Sequence, residues 1–255
     1  MLYQLLDKLY ARIDRMDIDA EVPQFAAQLR RMRPSIISEL NSQGMKAEAL
    51  QKALLTLSLA QLGFIRQIPT IGREMSDMLQ TGGGEPAFRC VLAASLAYLV
   101  QPQDLLPDDL PGCYGFVDDT LLLHEACALS WEVAGDMARA EEKRKTFKFI
   151  FMFVPDDGQE KFKEAIAGLA TTLNIMRTLD PGVAELTTQM LIANPLQAIS
   201  PQPGTVGASP GFGSQFTNYP GSGRVQYTWK SGDSMGVNFP GGGGVATDGR
   251  DIFIL

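Results

Sequence analysis

The chain has 255 residues, of which 45% are hydrophobic, and a formal net charge of −7. This acidic balance, with a pI near 4.8 and no basic stripe to neutralise phosphates, excludes nucleic acid as a partner and disfavours an anionic membrane surface. The three cysteines, Cys90, Cys113 and Cys127, are unevenly spaced, which favours reduced thiols and a cytoplasmic location. No basic leader precedes an apolar stretch, and no such stretch reaches the about 20 residues of a bilayer crossing, so neither a secretory signal nor a transmembrane segment is predicted.

Residues 1–80 predict an N-terminal helical array. Apolar side chains recur at the i, i+3, i+4, i+7 spacing of a helix face over residues 2–16 and again over residues 50–68. Weaker periods cover residues 25–32 and 36–40. The predicted breaks between them fall at Pro23, Pro34 and Pro69.

Residues 85–199 predict a second helical region that packs with the first as one unit. After a glycine-rich loop, residues 88–100 have the dense apolar pattern of a buried helix, which Pro102 ends. From Val117 a long helical pattern runs to the charged residues 141–145, which suit a solvated face. Two further helices are predicted, at residues 158–179 and 182–193.

The most apolar stretch of the chain covers residues 146–155. It suits a buried helix end, a short strand or an apolar foot at a membrane interface. Core packing is the favoured interpretation, because the run is too short to bind a membrane strongly.

Residues 200–255 form a different region, a Gly/Pro-rich tail that holds 13 of the 25 glycines. A packed helix is excluded there. Residues 225–229 and 235–239 flank a Ser-Gly-Asp-Ser turn and can form a short β-hairpin. The tail ends in four apolar residues that suit a tethered docking peptide: Ile252, Phe253, Ile254 and Leu255. Their partner can be another protein or a neighbouring subunit; docking on the chain's own core and disorder are the alternatives.

The most informative segment is the Pro/Asp-rich hairpin at residues 98–123, between two apolar helices. Three prolines stop the first helix and forbid its continuation: Pro102, Pro107 and Pro111. Gly112 and Gly115 are expected to allow a positive φ in the return. Hence the predicted fold class is all-α, a helical array with a Pro/Asp-rich helical hairpin, followed by an irregular tail.

This segment resembles the YkvA-like domain of unknown function, a helical-hairpin family found widely in bacteria. The family pattern is matched position for position by Pro102, Asp104, Pro107, Asp108, Pro111, Gly115, Asp118 and Asp119. The resemblance covers about 25 to 40 residues. It implies a helical hairpin with a special loop and does not imply a reaction.

The four aspartates of the hairpin allow three interpretations. They can hold the tight connection together, with Asp118 near the start of the next helix and Asp104 and Asp108 bonding turn amides. Alternatively Asp104, Asp108, Asp118 and Asp119 converge as ligands of Mg²⁺, Ca²⁺ or Mn²⁺, because clustered carboxylates repel one another unless a cation or protons intervene. In the third interpretation, they form a surface recognition loop.

No other motif identifies a catalytic residue. His124, the only histidine, is interpreted as a partly buried structural side chain rather than a base or a zinc ligand beside Cys90 or Cys113. Two Gly-x-Ser-x-Gly strings, centred on Ser209 and Ser234, lack the strand, helix and downstream histidine of a hydrolase. The glycine runs lack the Lys-Ser/Thr of a phosphate loop.

The sequence therefore favours a non-enzymatic interaction or assembly protein that uses a helical core and a C-terminal docking tail. The alternative is a metal-dependent enzyme or metal-binding module on the four aspartates, with a divalent cation as its cofactor. A third possibility is a peripheral membrane adaptor that uses residues 147–154.

Overall fold

A computed structural model describes residues 1–101 and 105–198 and three short strands in the tail, of which only the backbone is considered. The predicted all-α class is confirmed. The helices are α1 (Leu2–Asp14), α2 (Ile18–Met32), α3 (Pro34–Ser42), α4 (Ala47–Ile65), α5 (Ile68–Gln80), α6 (Pro86–Tyr98), α7 (Val117–Val133), α8 (Met137–Phe151), α9 (Gln159–Thr178), α10 (Pro181–Ala193) and α11 (Pro195–Ala198), and a 3₁₀ segment covers Pro111–Phe116.

The helix boundaries differ from the sequence prediction at two places. Pro23 does not break the chain but lies inside α2, where burial of Phe25 and Leu29 in the core offsets the hydrogen bond that a proline cannot donate. The long pattern from Val117 is not one helix. It is divided at Gly135, whose φ of 81° ends α7, and Asp136 caps α8 by accepting a hydrogen bond from the amide of Arg139 at 3.1 Å.

The core is one continuous cluster of buried side chains from Leu2 in α1 to Leu191 in α10. Helix α6 lies near its centre, since its residues are buried from Ala87 to Tyr98 with the exception of Arg89. Neighbouring helices α1, α5, α7, α9 and α10 all contact it.

The apolar run at residues 146–155 forms the buried end of α8 and the loop after it. Phe149, Ile150, Phe153 and Val154 have no exposed surface, and the ring of Phe149 contacts those of Phe64 and Phe153. Most of the apolar surface of this run is therefore in the core, and Phe151 is half-buried. None of the helices in the described residues combines the length and the apolar character that a bilayer crossing demands.

Three strands are described in the tail: β1 (Met235–Asn238), β2 (Gly244–Thr247) and β3 (Ile252–Ile254). They pair antiparallel in the order β1-β2-β3, with Val237 opposite Val245 and Ala246 opposite Phe253. The second arm of the predicted hairpin contains β1, which pairs here with β2. The first arm, residues 225–229, lies outside the described residues, as do Ser209, Ser234 and Leu255.

Candidate functional site: the Pro/Asp hairpin

Glycines bring the hairpin against its neighbours. Gly112 has a φ of 71°, and a Cβ added to it would lie 2.1 Å from the amide nitrogen of Phe25 in α2. The positive φ predicted for Gly115 is wrong. That glycine is required by close contact, because an added Cβ would lie 2.3 Å from the carbonyl oxygen of Pro107. The second positive φ of the turn, 59°, belongs to Cys113.

Asp118 joins three parts of the hairpin. It is fully buried in the first turn of α7. Its Oδ2 accepts a hydrogen bond from the Tyr98 hydroxyl at the end of α6, at 2.8 Å, and another from the Leu106 amide in the loop, at 3.0 Å. The Tyr98 hydroxyl in turn accepts a hydrogen bond from the amide of Leu105, at 3.1 Å. One carboxyl group therefore fixes the position of the loop relative to both helices.

Burial raises the pKa of Asp118 to about 7, although the hydrogen bonds from Tyr98 and Leu106 and the nearby amides of Asp118 and Asp119 oppose this rise. Those two amides favour the charged form, but neither donates a hydrogen bond to Oδ1, which has no hydrogen-bond partner in the described part of the chain. The interpretation of Asp118 as a residue that holds the connection together thus has a direct basis. Its partner amide is in the loop, however, and not at the start of its own helix.

Asp108 and Asp119 occupy different surroundings. Asp119 is fully buried beside Asp118. Asp108 is half-buried, and its backbone oxygen accepts a hydrogen bond from Nη2 of Arg12 in α1 at 3.0 Å. Burial raises the pKa of the Asp108 carboxyl to about 6; Arg12 opposes this rise and Asp109 adds to it. Since the Arg12 guanidinium also lies 4.9 Å from the centre of the Phe116 ring, α1 holds the hairpin from outside.

A metal site on the four aspartates stays a prediction. Pro102 and Asp104 lie outside the described residues. Within the residues that are described, no three His, Cys, Asp or Glu side chains come together in a group that could hold a metal ion. A site built on the cluster would therefore depend on Asp104. It would use Oδ1 of Asp118 or compete with Tyr98 and Leu106 for Oδ2.

His124 is more deeply buried than the sequence suggested. It is 1% exposed, and the Phe64 ring lies edge-on to it with the ring centres 6.0 Å apart. Neither ring nitrogen has a hydrogen-bond partner among the described residues. Burial, with a smaller contribution from Lys143, lowers the pKa of His124 to about 3, so the ring is neutral. This environment fits a structural histidine.

The cysteines are free thiols, as predicted. Burial raises the pKa of both Cys90 and Cys113 to about 11, which keeps these thiols protonated and weakly nucleophilic near neutral pH. Their surroundings favour packing over chemistry.

Two features of the structure were not predicted from the sequence. The first is Tyr98, whose hydroxyl bonds a carboxylate 20 residues later. The second is an exposed apolar surface on α10, here called the α10 face, which comprises Gly182, Val183, Leu186, Gln189, Met190 and Ala193. Val183, Leu186 and Met190 are spaced i, i+3, i+7, and this signal was available within the helix predicted at residues 182–193.

Comparison with protein families identifies the segment that contains the hairpin. Residues 89–124 match DUF1232, a family described as proteins of unknown function. The DUF1232 segment runs from the first turn of α6 through the hairpin to His124, and it contains both Tyr98 and Asp118. The resemblance inferred at residues 98–123 is therefore confirmed for that segment, which is about one seventh of the chain. Neither the curated proteins nor the solved structures contain a significant match.

Proposed function

We propose that this chain is a non-enzymatic interaction protein in which the DUF1232 segment belongs to the scaffold and the α10 face binds another protein. The α10 face is the observation that carries the proposal. Six large apolar side chains are exposed in the described residues, and three of them, Val183, Leu186 and Met190, lie together on this helix. A fourth, Met1, lies near the C-terminal end of α10, where its amino group donates a hydrogen bond to the Ile192 carbonyl at 3.4 Å. Such clustering, unlike single exposed apolar residues, is typical of interaction sites.

The charge distribution of α10 supports this role. A surface helix usually presents charged residues to solvent. Helix α10 has one charged residue, Glu185, and that side chain forms an ion pair with Arg89 of α6. No residue of the α10 face is charged, while Ala184, Thr188 and Leu191 face the core.

The hairpin offers less support for catalysis. Oδ2 of Asp118 accepts hydrogen bonds within the fold, and His124 is enclosed.

Two clefts in the described part of the chain are also small. One lies between α1 and α5, beside Tyr10 and Arg73, and has a volume of about 180 Å³; another, beside Glu85 and Arg177, has about 100 Å³. Pockets for small molecules usually begin at about 300 Å³.

Photo-crosslinking in the native host tests the proposal. A photoreactive residue is placed at Gln189 on the α10 face of the full-length protein, and a control is placed at Glu48, which is exposed on α4. Covalent adducts with protein are expected from position 189 and not from position 48, and Leu186→Glu should reduce them. Absence of adducts at position 189, or the same adducts at both positions, would contradict an interaction role for α10.

A further inference from the structure

The spacing of the α10 face indicates what kind of partner it fits. Val183, Leu186, Met190 and Ala193 follow one another at intervals of three, four and three residues. This is the a/d spacing of a coiled-coil seam, in which each side chain enters a hole formed by a facing helix. The face therefore fits another helix with a similar seam better than a strand or an extended peptide.

The residues beside the seam favour a second copy of this chain. At the flanking positions, where charges normally set the choice of partner in a coiled coil, α10 and its C-cap have Gly182, Thr187, Gln189 and Asn194. None of these is charged. Two copies of a chain with a net charge of −7 repel each other over most of their surfaces, but at this face no like charges are brought together. A charged helical partner would gain nothing from these flanks.

The seam is also complementary to itself in an antiparallel pair. A two-fold axis at the level of Thr188 would place Leu186 opposite Met190 of the second copy and Val183 opposite Ala193. The two largest side chains thus meet near the centre, and the smaller ones meet at the ends. A two-fold contact of this kind closes on itself and does not propagate into fibres.

We propose that the protein bound by the α10 face is a second copy of this chain, paired antiparallel through α10. This inference rests on the proposed function and names the partner for the same surface. Because a 13-residue helix is only about 20 Å long, the contact is smaller than the about 800 Å² per partner of a standard interface. The dimer should therefore be weak, with a dissociation constant of the order of 1 µM or higher.

Sedimentation equilibrium of the purified full-length protein tests the pairing. Between about 1 µM and about 1 mM, the average mass should rise towards twice the monomer mass of 27.8 kDa. The Leu186→Glu variant should remain a monomer, since each dimer would bury two carboxylates. The matched control is Leu59→Glu. Leu59 is also a large exposed apolar residue, at 45%, but lies on α4, and this variant should dimerise like the unmodified protein.

Each alternative outcome has a defined meaning. A monomer at all concentrations overturns the inference, and if position 189 still crosslinks to another protein in cells, the interaction function stands with a different partner. A dimer that persists in Leu186→Glu overturns the assignment to α10. A dimer that is lost both in Leu186→Glu and on deletion of residues 248–255 would make the C-terminal segment the occupant of the face and overturn helix-on-helix pairing.

Cysteine crosslinking tests the orientation. In a Cys113→Ser background, tagged Leu186→Cys chains are mixed with untagged Met190→Cys chains and oxidised. Antiparallel pairing predicts more mixed disulfide than either homodimeric disulfide. An excess of homodimeric disulfides would overturn the antiparallel arrangement.

Discussion

In most proteins charged residues are exposed and apolar residues are buried. The hairpin and the α10 face depart from this distribution in opposite directions. At the hairpin, Asp118 and Asp119 are charged residue types with no exposed surface, whereas on α10 Leu186 and Met190 are apolar and about 60% exposed. Partners inside the fold account for the buried Asp118, since Tyr98 and Leu106 donate to it. Leu186, in contrast, keeps most of its surface exposed in the described part of the chain. The buried carboxylate of Asp118 therefore stabilises the fold, whereas the exposed side chains of α10 are suited to binding.

The two departures also differ in energy. An unpaired buried carboxylate is strongly unfavourable, so the hydrogen bonds to Asp118 are required by the fold. Exposed apolar side chains do not stabilise the monomer. A partner that buries them would gain about 1.5–3 kcal/mol for each side chain that goes from exposed to buried. If this comparison holds, substitutions at the hairpin should change the stability of the monomer, and substitutions on the α10 face should not.

The largest effect is expected from Gly112→Ala. The added Cβ would meet the backbone of α2 and would also occupy a positive φ, so the free energy of unfolding should fall by more than about 3 kcal/mol. Gly135→Ala is the matched control: its φ is 81° but nothing lies within 4 Å of the added Cβ, and it should cost about 1–2 kcal/mol. Urea unfolding of both variants measures the difference. Equal losses would show that close contact with α2 is not what requires glycine at position 112.

A smaller loss is expected at Asp118, and two substitutions distinguish its causes. Asp118→Leu removes the carboxylate to which the Tyr98 hydroxyl and the Leu106 amide donate, which should lower the free energy of unfolding by about 2–4 kcal/mol. At neutral pH, Asp118→Asn keeps an acceptor oxygen and should cost about 1 kcal/mol. If the two variants unfold at the same urea concentration, these hydrogen bonds do not determine the hairpin.

The free energy of unfolding should also depend on pH because of the Asp118 carboxyl. Folded Asp118 releases its proton near pH 7, and an unfolded aspartate does so near pH 3.8. Between these values the folded chain binds more protons, so the stabilisation is fully present below about pH 4 and is lost as the pH rises through about 7, by up to about 1.4 kcal/mol per pH unit. The Asp118→Asn variant lacks this titration. Unfolding both proteins from pH 4 to 8 should show the advantage of the unmodified chain decreasing with pH, and a constant difference would contradict the raised pKa.

Local patterns were sufficient for much of this fold. Apolar periods located most helices, and the prolines and glycines of the hairpin located its turn. Gly135 was also visible in the sequence, but the apolar pattern on both sides of it concealed the break. Pro23 shows the opposite error, because tertiary packing of Phe25 and Leu29 overrides a local signal.

The contacts of the hairpin could not be predicted in this way. Gly115 is required by the approach of Pro107, and Asp118 is bonded by a tyrosine from the preceding helix; both depend on how the two arms fold back. Periodicity likewise shows that α10 has apolar residues on more than one side, but only the packed structure shows that Leu191 is covered and Leu186 is not.

The smallest effect is expected on the α10 face, where a pair of substitutions on one helix tests the comparison. At concentrations low enough to keep the chain monomeric, Leu186→Ala should change the free energy of unfolding by less than about 0.5 kcal/mol, because the side chain is already exposed. Leu191→Ala, on the buried side of the same helix at 7% exposure, should cost about 2–5 kcal/mol. A large loss from Leu186→Ala under these conditions would mean that the chain itself covers the face, so that α10 stabilises the fold as the hairpin does. A negligible loss of stability in Leu186→Ala, combined with loss of self-association in Leu186→Glu, would show that the hairpin stabilises the fold and that the α10 face binds a second copy.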